Sequence, residues 1–579
     1  MKKLLVYLKD YKIQCVLAPL FKMLEAVFEL TVPLVVASII DKGIRAENMG
    51  VVYSRSVLLV LFALVGMVAA ISAQYFAARA ATGFATKVRH ALFEKIQGFS
   101  FSEIDKVGTA TLITRITNDV NQAQSGVNMV LRLFLRSPFI VAGAFVMAMF
   151  IDVEAGLIFL GIIAALSVVV FVIMKITVPK YKEVQSTLDG VTLLTRENLN
   201  GARVIRAFCD EENELSRFNK KNNYLAHLQR VAGRISALMN PLTFVIVNLG
   251  IIVLIRYGGV RVNTGRLSQG DVVALYNYLS QILVELVKFA NLIVTVTKGF
   301  ASGSRIAAVL ETESTLKKSD NARVTNNYAV AFDGVSLSYD GAGDESISDI
   351  TFTANSGEVI GIIGSTGSGK TSLVSLIPHF YDATKGTVTV DGRDVASYTG
   401  DELQKKIGFA MQKAELFSGT VRDNVKWGKS DATDSEIDEA LRIAQIYDAM
   451  YEKDGLDTVI EHGGGNLSGG QKQRLSVARA IVGKPQIIVL DDSASALDFA
   501  TERAMRDAIL SLSYNPTLFI VSQRCSSILS ADRIIVLDDG RCVGMGTNEE
   551  LLKNCEVYRE IYSSQFDDAY RYVKEGQND

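Results

Sequence analysis

Six long apolar runs crowd the first 305 residues of this 579-residue chain and none follows them, so its two halves fold against different solvents. Residues 155–174 carry Ser167 as their only clearly polar member, and 57–73 is nearly as clean. A helix of that length covers about 30 Å, the thickness of a bilayer's hydrocarbon core. Further candidate spans are 16–35, 133–151, 242–255 and a more polar stretch at 272–296. Lys2 and Lys3 precede the first run but no cleavage site follows it, so a removable signal peptide is not expected. The 60 basic and 62 acidic residues nearly cancel, which gives no support for nucleic acid as a partner. Five cysteines lie far apart without metal or redox spacing and read as reduced thiols.

With the N-terminus in the cytoplasm, the external connections are short, near 41–56, 152–154 and 256–271. The internal ones are long, near 84–126 and 175–234. The second internal stretch holds eleven Lys and Arg, from Lys175 to Arg234, a positive-inside signal that keeps both termini cytoplasmic. Arg256, Arg261 and Arg266, in the last external connection, run against that rule. Domain limits follow: a membrane domain over 1–305, a polar linker over 306–328 and a soluble α/β domain over 329–570. No short-period repeat is visible.

In the soluble half, the isoleucine-rich run 359–363 leads at once into Gly364-Ser365-Thr366-Gly367-Ser368-Gly369-Lys370-Thr371-Ser372 and then Leu373-Val374. Strand, glycine-rich loop and helix in this order make a phosphate loop. The glycines let backbone N–H groups face phosphate, and the helix offers its positive end to the same charge. Lys370 suits the β and γ phosphates; the Thr371 hydroxyl suits Mg²⁺. A second buried strand, 486–490, ends in Asp491-Asp492, where one carboxylate can hold Mg²⁺ and the other poise a water, a helix cap being the plainer alternative. Between them, Leu467-Ser468-Gly469-Gly470-Gln471 precedes a helix-forming run at 472–482. A Ser-Gly-Gly turn there is another anion site, though a weak signal alone.

Together these segments resemble the ABC transporter family, and the resemblance covers the whole chain. It makes the phosphate loop a Walker A motif, Leu467 to Gln471 the LSGGQ signature and Asp491 the end of Walker B. Tyr339 is similar to the aromatic that stacks on adenine, Gln412 to the Q-loop glutamine that touches Mg²⁺, and Asp498 to the D-loop aspartate. Residues 197–208 resemble the second cytoplasmic loop of type IV exporters, whose short helix docks on a partner's nucleotide domain; Gly108 to Asp119 resembles its counterpart in the first loop. The implied fold is an α-helical membrane domain, six transmembrane helices with long cytoplasmic extensions, fused to an α/β P-loop NTPase domain with a helical subdomain. The implied activity is ATP-driven export of hydrophobic or amphipathic drugs, lipids or peptides across the cell membrane. ATP, Mg²⁺, membrane lipid and a second half-transporter subunit are the implied partners.

Two positions depart from the family. Asp492 stands where a fully active member has Glu, retracting the carboxylate by roughly one carbon–carbon bond, a misplacement able to cost roughly a hundredfold. Gln523, in Ser522-Gln523-Arg524, replaces the switch histidine and carries no proton or positive charge. None of the four histidines (His90, His227, His379, His462) can take its place by position. One reading is drift with activity kept, since Asp can serve as a base. The other is an obligate heterodimer: this chain binds ATP, hydrolyses it slowly, and lends Ser468, Gly469 and Gly470 to a partner that carries Glu and His. Two rivals are a slow homodimeric exporter using Asp492 and a membrane regulator that senses ATP and pumps nothing.

Lys22, Glu25 and Glu29 share one face of the first span, and the sixth holds Glu285 and Lys288. Charges at bilayer depth need partners or water. These line a substrate cavity for amphipathic cations, pair across helices, or lie where long spans project beyond lipid. Asn248 is expected at a helix contact.

Overall fold

A computed structural model describes residues 2–313, 315–316, 327–339, 341–398 and 400–566. It separates into a membrane unit, up to Gln97 with Ala110–Thr312, and a nucleotide unit, Gly98–Thr109 with the chain from Glu313 onward.

Among the described residues, the membrane unit has six helices long and apolar enough to cross a bilayer: Lys3–Ile44, Met49–Gln97, Thr109–Ile151, Val153–Asn200, Glu211–Asn263 and Gln269–Glu311. At 42 to 53 residues each, they are about twice as long as a bilayer requires. The external connections expected at 41–56 and 256–271 therefore shrink to 45–48 and 264–268. The expected internal loops are themselves mostly helical. Polar sequence did not end these helices because their cytoplasmic ends pack on each other. Val184 and Val191 of the fourth helix meet Leu225, Leu228 and Ala232 of the fifth. Within the membrane-facing part, Ala26, Leu30, Phe159, Leu166, Tyr278 and Ile282 share one buried cluster.

Arg261, which offends the positive-inside rule, is neutralised by Glu154 and lies over the Tyr257 ring at 5.2 Å. Asn248 is exposed, and its amide donates to the Phe244 carbonyl one turn back, at 2.8 Å.

Among the described residues, the nucleotide unit has twelve strands: β1 Val330–Leu337, β2 Ile347–Ala354, β3 Val359–Gly364, β4 Lys385–Val390, β5 Arg393–Asp394, β6 Ile407–Ala410, β7 Gly419–Thr420, β8 Val459–Ile460, β9 Ile487–Asp491, β10 Thr517–Val521, β11 Arg533–Asp538 and β12 Arg541–Gly546. The main sheet has the order β12-β11-β3-β10-β9-β6, parallel except for β12 at its edge. A smaller sheet, β2-β1-β4-β5, is antiparallel. The central strands β3, β9 and β10 are almost wholly apolar because both faces are covered. Ile488, Leu490, Leu518 and Ile520 enter a core with the helical segment around 421–482. Their alternating neighbours Ile487, Val489, Phe519 and Val521 enter a second core with β1, β2 and β4.

The expected linker, 306–328, is helical as far as Glu311, while positions 314 and 317–326 lie outside the described residues, as do 567–570 at the far end of the expected soluble domain. A short helix, Phe101–Val107, sits in the nucleotide unit, upstream of the Gly108–Asp119 segment that resemblance singled out. Phe101 packs on Phe380 with ring centroids 4.5 Å apart, and Asp105 accepts from the Tyr381 hydroxyl at 2.7 Å. Glu103 is buried and accepts from the N–H groups of Ser100 and Thr315, both at 2.8 Å.

Candidate nucleotide site

The central strand β3 delivers the glycine-rich loop to the carboxyl end of the parallel sheet, where ligands of α/β folds bind. Gly369 has φ +92°, and a Cβ there would lie 2.6 Å from the Ser346 carbonyl. Only glycine allows that backbone to turn into the helix Lys370–Ser375. At Gly364 a Cβ would collide with the Leu537 carbonyl and the Ser368 hydroxyl. Lys370 is buried, and its ammonium donates to the carbonyls of Gly364 (2.8 Å) and Ser365 (2.7 Å). Burial lowers its pKa, against the opposing pull of Asp492 and Asp491.

The Thr371 hydroxyl donates to Asp491 at 3.1 Å, joining the loop to the end of β9. Burial raises the Asp491 carboxyl to about 6, with the Asp492 charge adding to the rise and Thr371 and Lys370 opposing it. Asp492 follows with φ +45°, its N–H held by the Val521 carbonyl at 3.0 Å. Its carboxyl is raised too, by burial first, while the Gln412 amide, 3.3 Å away, and Lys370 oppose.

A cavity of about 290 Å³ gathers Thr366, Gly367, Gly369, Lys370, Thr371, Ser372, Gln412, Asp491, Asp492 and Gln523 in its lining, with Glu345 and Asp539 beside them. Tyr339 adjoins it, its hydroxyl 3.0 Å from that of Ser372 and its ring edge-on to Tyr381 at 5.1 Å. Leu467 to Gln471 and Asp498 are not among the lining residues. Ser468 instead caps the helix Gly469–Ile481 with Gln471 in a reciprocal box. Gln473 then ties that helix to Ser495 (2.9 Å) and Ala496 (3.0 Å). Asp498 caps the helix Phe499–Leu510, accepting from the Thr501 N–H at 2.9 Å.

Sequence reasoning missed three features here. Gln565 donates to the Gln523 carbonyl and accepts from the Cys525 N–H, both at 2.8 Å, gripping the backbone on either side of Arg524. Arg524 reaches the Leu497 carbonyl (3.3 Å) and buried Glu502 (3.1 Å). The Phe101–Val107 helix is the third, and it does announce itself: Ser100 and Glu103 have the spacing of a capping box.

A backbone cradle too tight for side chains, a buried ammonium at its centre and two adjoining carboxylates suit a phosphate chain with its divalent cation. Mg²⁺ bound there, held by Thr371 and Asp491, would neutralise phosphate charge. Six spanning helices fused to such a site define a membrane protein driven by nucleotide. Residues 15–286 match the family model described as the ABC transporter transmembrane region, and residues 347–495 match the one described as ABC transporter. The chain is 35% identical to the uncharacterized ABC transporter ATP-binding protein YfiB of Bacillus subtilis (strain 168), over 98% of this chain and 99% of that one. It is 31% identical to the ATP-dependent lipid A-core flippase of Syntrophus aciditrophicus (strain SB), over 85% of this chain and 82% of the relative. Its fold matches that of a bacterial Atm1-family ABC exporter with ATP bound, at a TM-score of 0.81 and 22% identity, covering 96% and 99% of the two chains. This chain belongs to the ABC transporter family, as a multi-pass membrane half-transporter with a cytoplasmic nucleotide-binding domain.

Proposed function

We infer that this chain is the slow-hydrolysing half of a heterodimeric ABC exporter. Its own loop, Gly364 to Ser372, with Tyr339, Gln412 and Asp491, binds magnesium ATP. Its Leu467 to Gln471 segment and Asp498 complete the active site of a second subunit, which carries the Glu and His that Asp492 and Gln523 replace. The cargo class is hydrophobic or amphipathic, drugs, lipids or peptides, in keeping with a lipid flippase among its relatives.

The observation that carries this reading is the contrast inside one cavity. Phosphate binding is supported by the glycine-rich backbone that lines the cavity and by the buried Lys370 ammonium within it. At its hydrolytic end stand a shortened carboxylate already engaged by Gln412 and a glutamine that transfers no proton. The segment 467–471, capped at Ser468 and outside that cavity, would serve another chain's nucleotide.

The purified chain, alone in nanodiscs, is expected to bind ATP while turning it over far below the roughly 10 s⁻¹ of an ordinary enzyme. Co-purification with a second half-transporter should restore turnover and vesicle uptake of a hydrophobic dye. Brisk turnover by the chain alone would establish the homodimer instead. ATP binding without flux of any amphiphile by the pair would leave a nucleotide-sensing regulator.

A further inference from the structure

Buried charge in the membrane unit is settled by neighbouring charge. Arg136, on the third helix, is 7% exposed and donates to Glu285 of the sixth and Glu29 of the first, both at 2.6 Å. Lys288 joins Glu285 at 3.1 Å, and Lys22 pairs with Glu25 at 2.6 Å. These charges find partners both across helices and within them.

The switch loop of the nucleotide unit is held differently, by a neutral side chain that bonds only to main chain. As far as Ser522 the sheet fixes its backbone: the Val521 carbonyl accepts from the Asp492 N–H, and the Ser522 N–H donates to the Ile362 carbonyl, both at 3.0 Å. β10 has ended by then. Gln565 takes over, its amide nitrogen donating to the Gln523 carbonyl and its oxygen accepting from the Cys525 N–H, both at 2.8 Å. The two main-chain groups have opposite polarity, and a primary amide carries a donor and an acceptor side by side to match them.

The helix that supplies Gln565 is itself firmly seated. It runs from Glu556 to Gln565, and its Tyr558 is fully buried and donates to Asn548 at 2.7 Å. The Tyr562 and Phe566 rings lie 4.6 Å apart and pack on the core that contains Cys525 and Ile528. Cys525 is fully buried, so its N–H has no water to turn to when the Gln565 oxygen is removed. Gln523, by contrast, is exposed and lines the nucleotide cavity with Lys370 and Asp492. Its amide is a hydrogen-bond donor suited to a terminal phosphate.

We propose that Gln565 is a positioning residue for recognition of the terminal phosphate. It fixes the main chain of 523–525 so that the Gln523 amide meets the γ-phosphate, and so sets how strongly the site prefers a triphosphate to a diphosphate. Gln565 is not among the residues lining the cavity, so it acts through Gln523. Arg524, between the two bonded groups, reaches the Leu497 carbonyl and Glu502 and offers a second route, which the test separates. The proposal rests on the nucleotide-binding part of the function inferred above.

The test uses the full chain in nanodiscs with Mg²⁺, and measures how the non-hydrolysable β,γ-imido analogue of ATP and ADP each displace a fluorescent nucleotide. The wild type should prefer the triphosphate analogue. Gln565→Met keeps the length of the side chain and neither bond; it should weaken the analogue about tenfold and move ADP by less than about twofold. Gln565→Glu keeps the acceptor for the buried Cys525 N–H but has no donor for the Gln523 carbonyl. It should show the same selective loss, and it carries the test if a melting curve finds the Met variant unfolded. Gln523→Ala should weaken the analogue by about the same factor, and combining it with Gln565→Met should cost no more than either change alone. A loss that is both selective and non-additive is not what a purely structural role produces. Equal wild-type affinities, no loss in the Gln565 variants, or an equal loss for both nucleotides overturns the proposal. So does a loss that persists in full on the Gln523→Ala background, the sign of action through Arg524. A wild-type chain that binds neither nucleotide would end the nucleotide reading and this proposal together, whereas ADP binding with an unmoved ratio in the variants ends this proposal alone.

Discussion

In the membrane unit, Arg136, Glu29, Glu285 and Lys288 neutralise one another at hydrogen-bonding distance, whereas in the nucleotide unit Asp491 and Asp492 stand side by side with neutral partners, a hydroxyl and an amide. The nearest cation there, Lys370, donates to loop carbonyls. Burial makes both aspartates hold their protons more tightly than ordinary carboxylates do, and no paired cation cancels it. Buried charges that meet partners of opposite sign hold helices together; carboxylates set beside neutral groups are shaped for a charge that arrives with a ligand.

The comparison breaks most visibly at Arg136. Arg136→Leu leaves buried carboxylates uncompensated and should cost about 3–5 kcal/mol, read as lost monodisperse protein and a lowered melting temperature in detergent. Adding Glu29→Gln and Glu285→Leu should recover most of it. An unchanged melting curve for the single variant would mean the network is not structural. Lys370→Ala should do the reverse, weakening ATP binding roughly a hundredfold in a fluorescent-nucleotide titration while barely moving the melting of the unliganded chain.

Asp492→Glu with Gln523→His sharpens the nucleotide side. Turnover by the chain should rise roughly tenfold or more, and no rise would mean these residues do not limit hydrolysis.

Proton competition is a gentler probe. Asp491 sits near 6, above its value in an unfolded chain, so the folded site favours the protonated form. Stability from this group is present at low pH and is lost as pH rises from about 4 to about 6. Mg²⁺ needs the carboxylate, so the affinity for magnesium nucleotide should fall below about pH 6, by up to about tenfold per pH unit, and nucleotide without Mg²⁺ should show less dependence. The smallest effect on the isolated chain is expected of Ser468→Ala, which removes a helix cap at about 1 kcal/mol of local stability.

What could be read from sequence was local. The phosphate loop and its strand are contiguous, and one residue separates the expected second strand, 486–490, from β9. The apolar runs revealed how many helices there are but not where each ends, because Val184, Leu225 and their neighbours sustain helix by mutual packing in water. Arg136 lay within an expected span, yet its partners are 107 and 149 residues away, a separation without periodicity. The same holds for Gln565, 42 residues from the carbonyl it grips.

That grip bears on how a switch loop can change. With main chain pinned before and after Arg524 from the end of the last described helix, position 523 is a socket whose occupant can be exchanged while its mounting stays put. A histidine installed there inherits a finished backbone, and shortening the chain ahead of Gln565 would loosen the mounting whatever the socket holds.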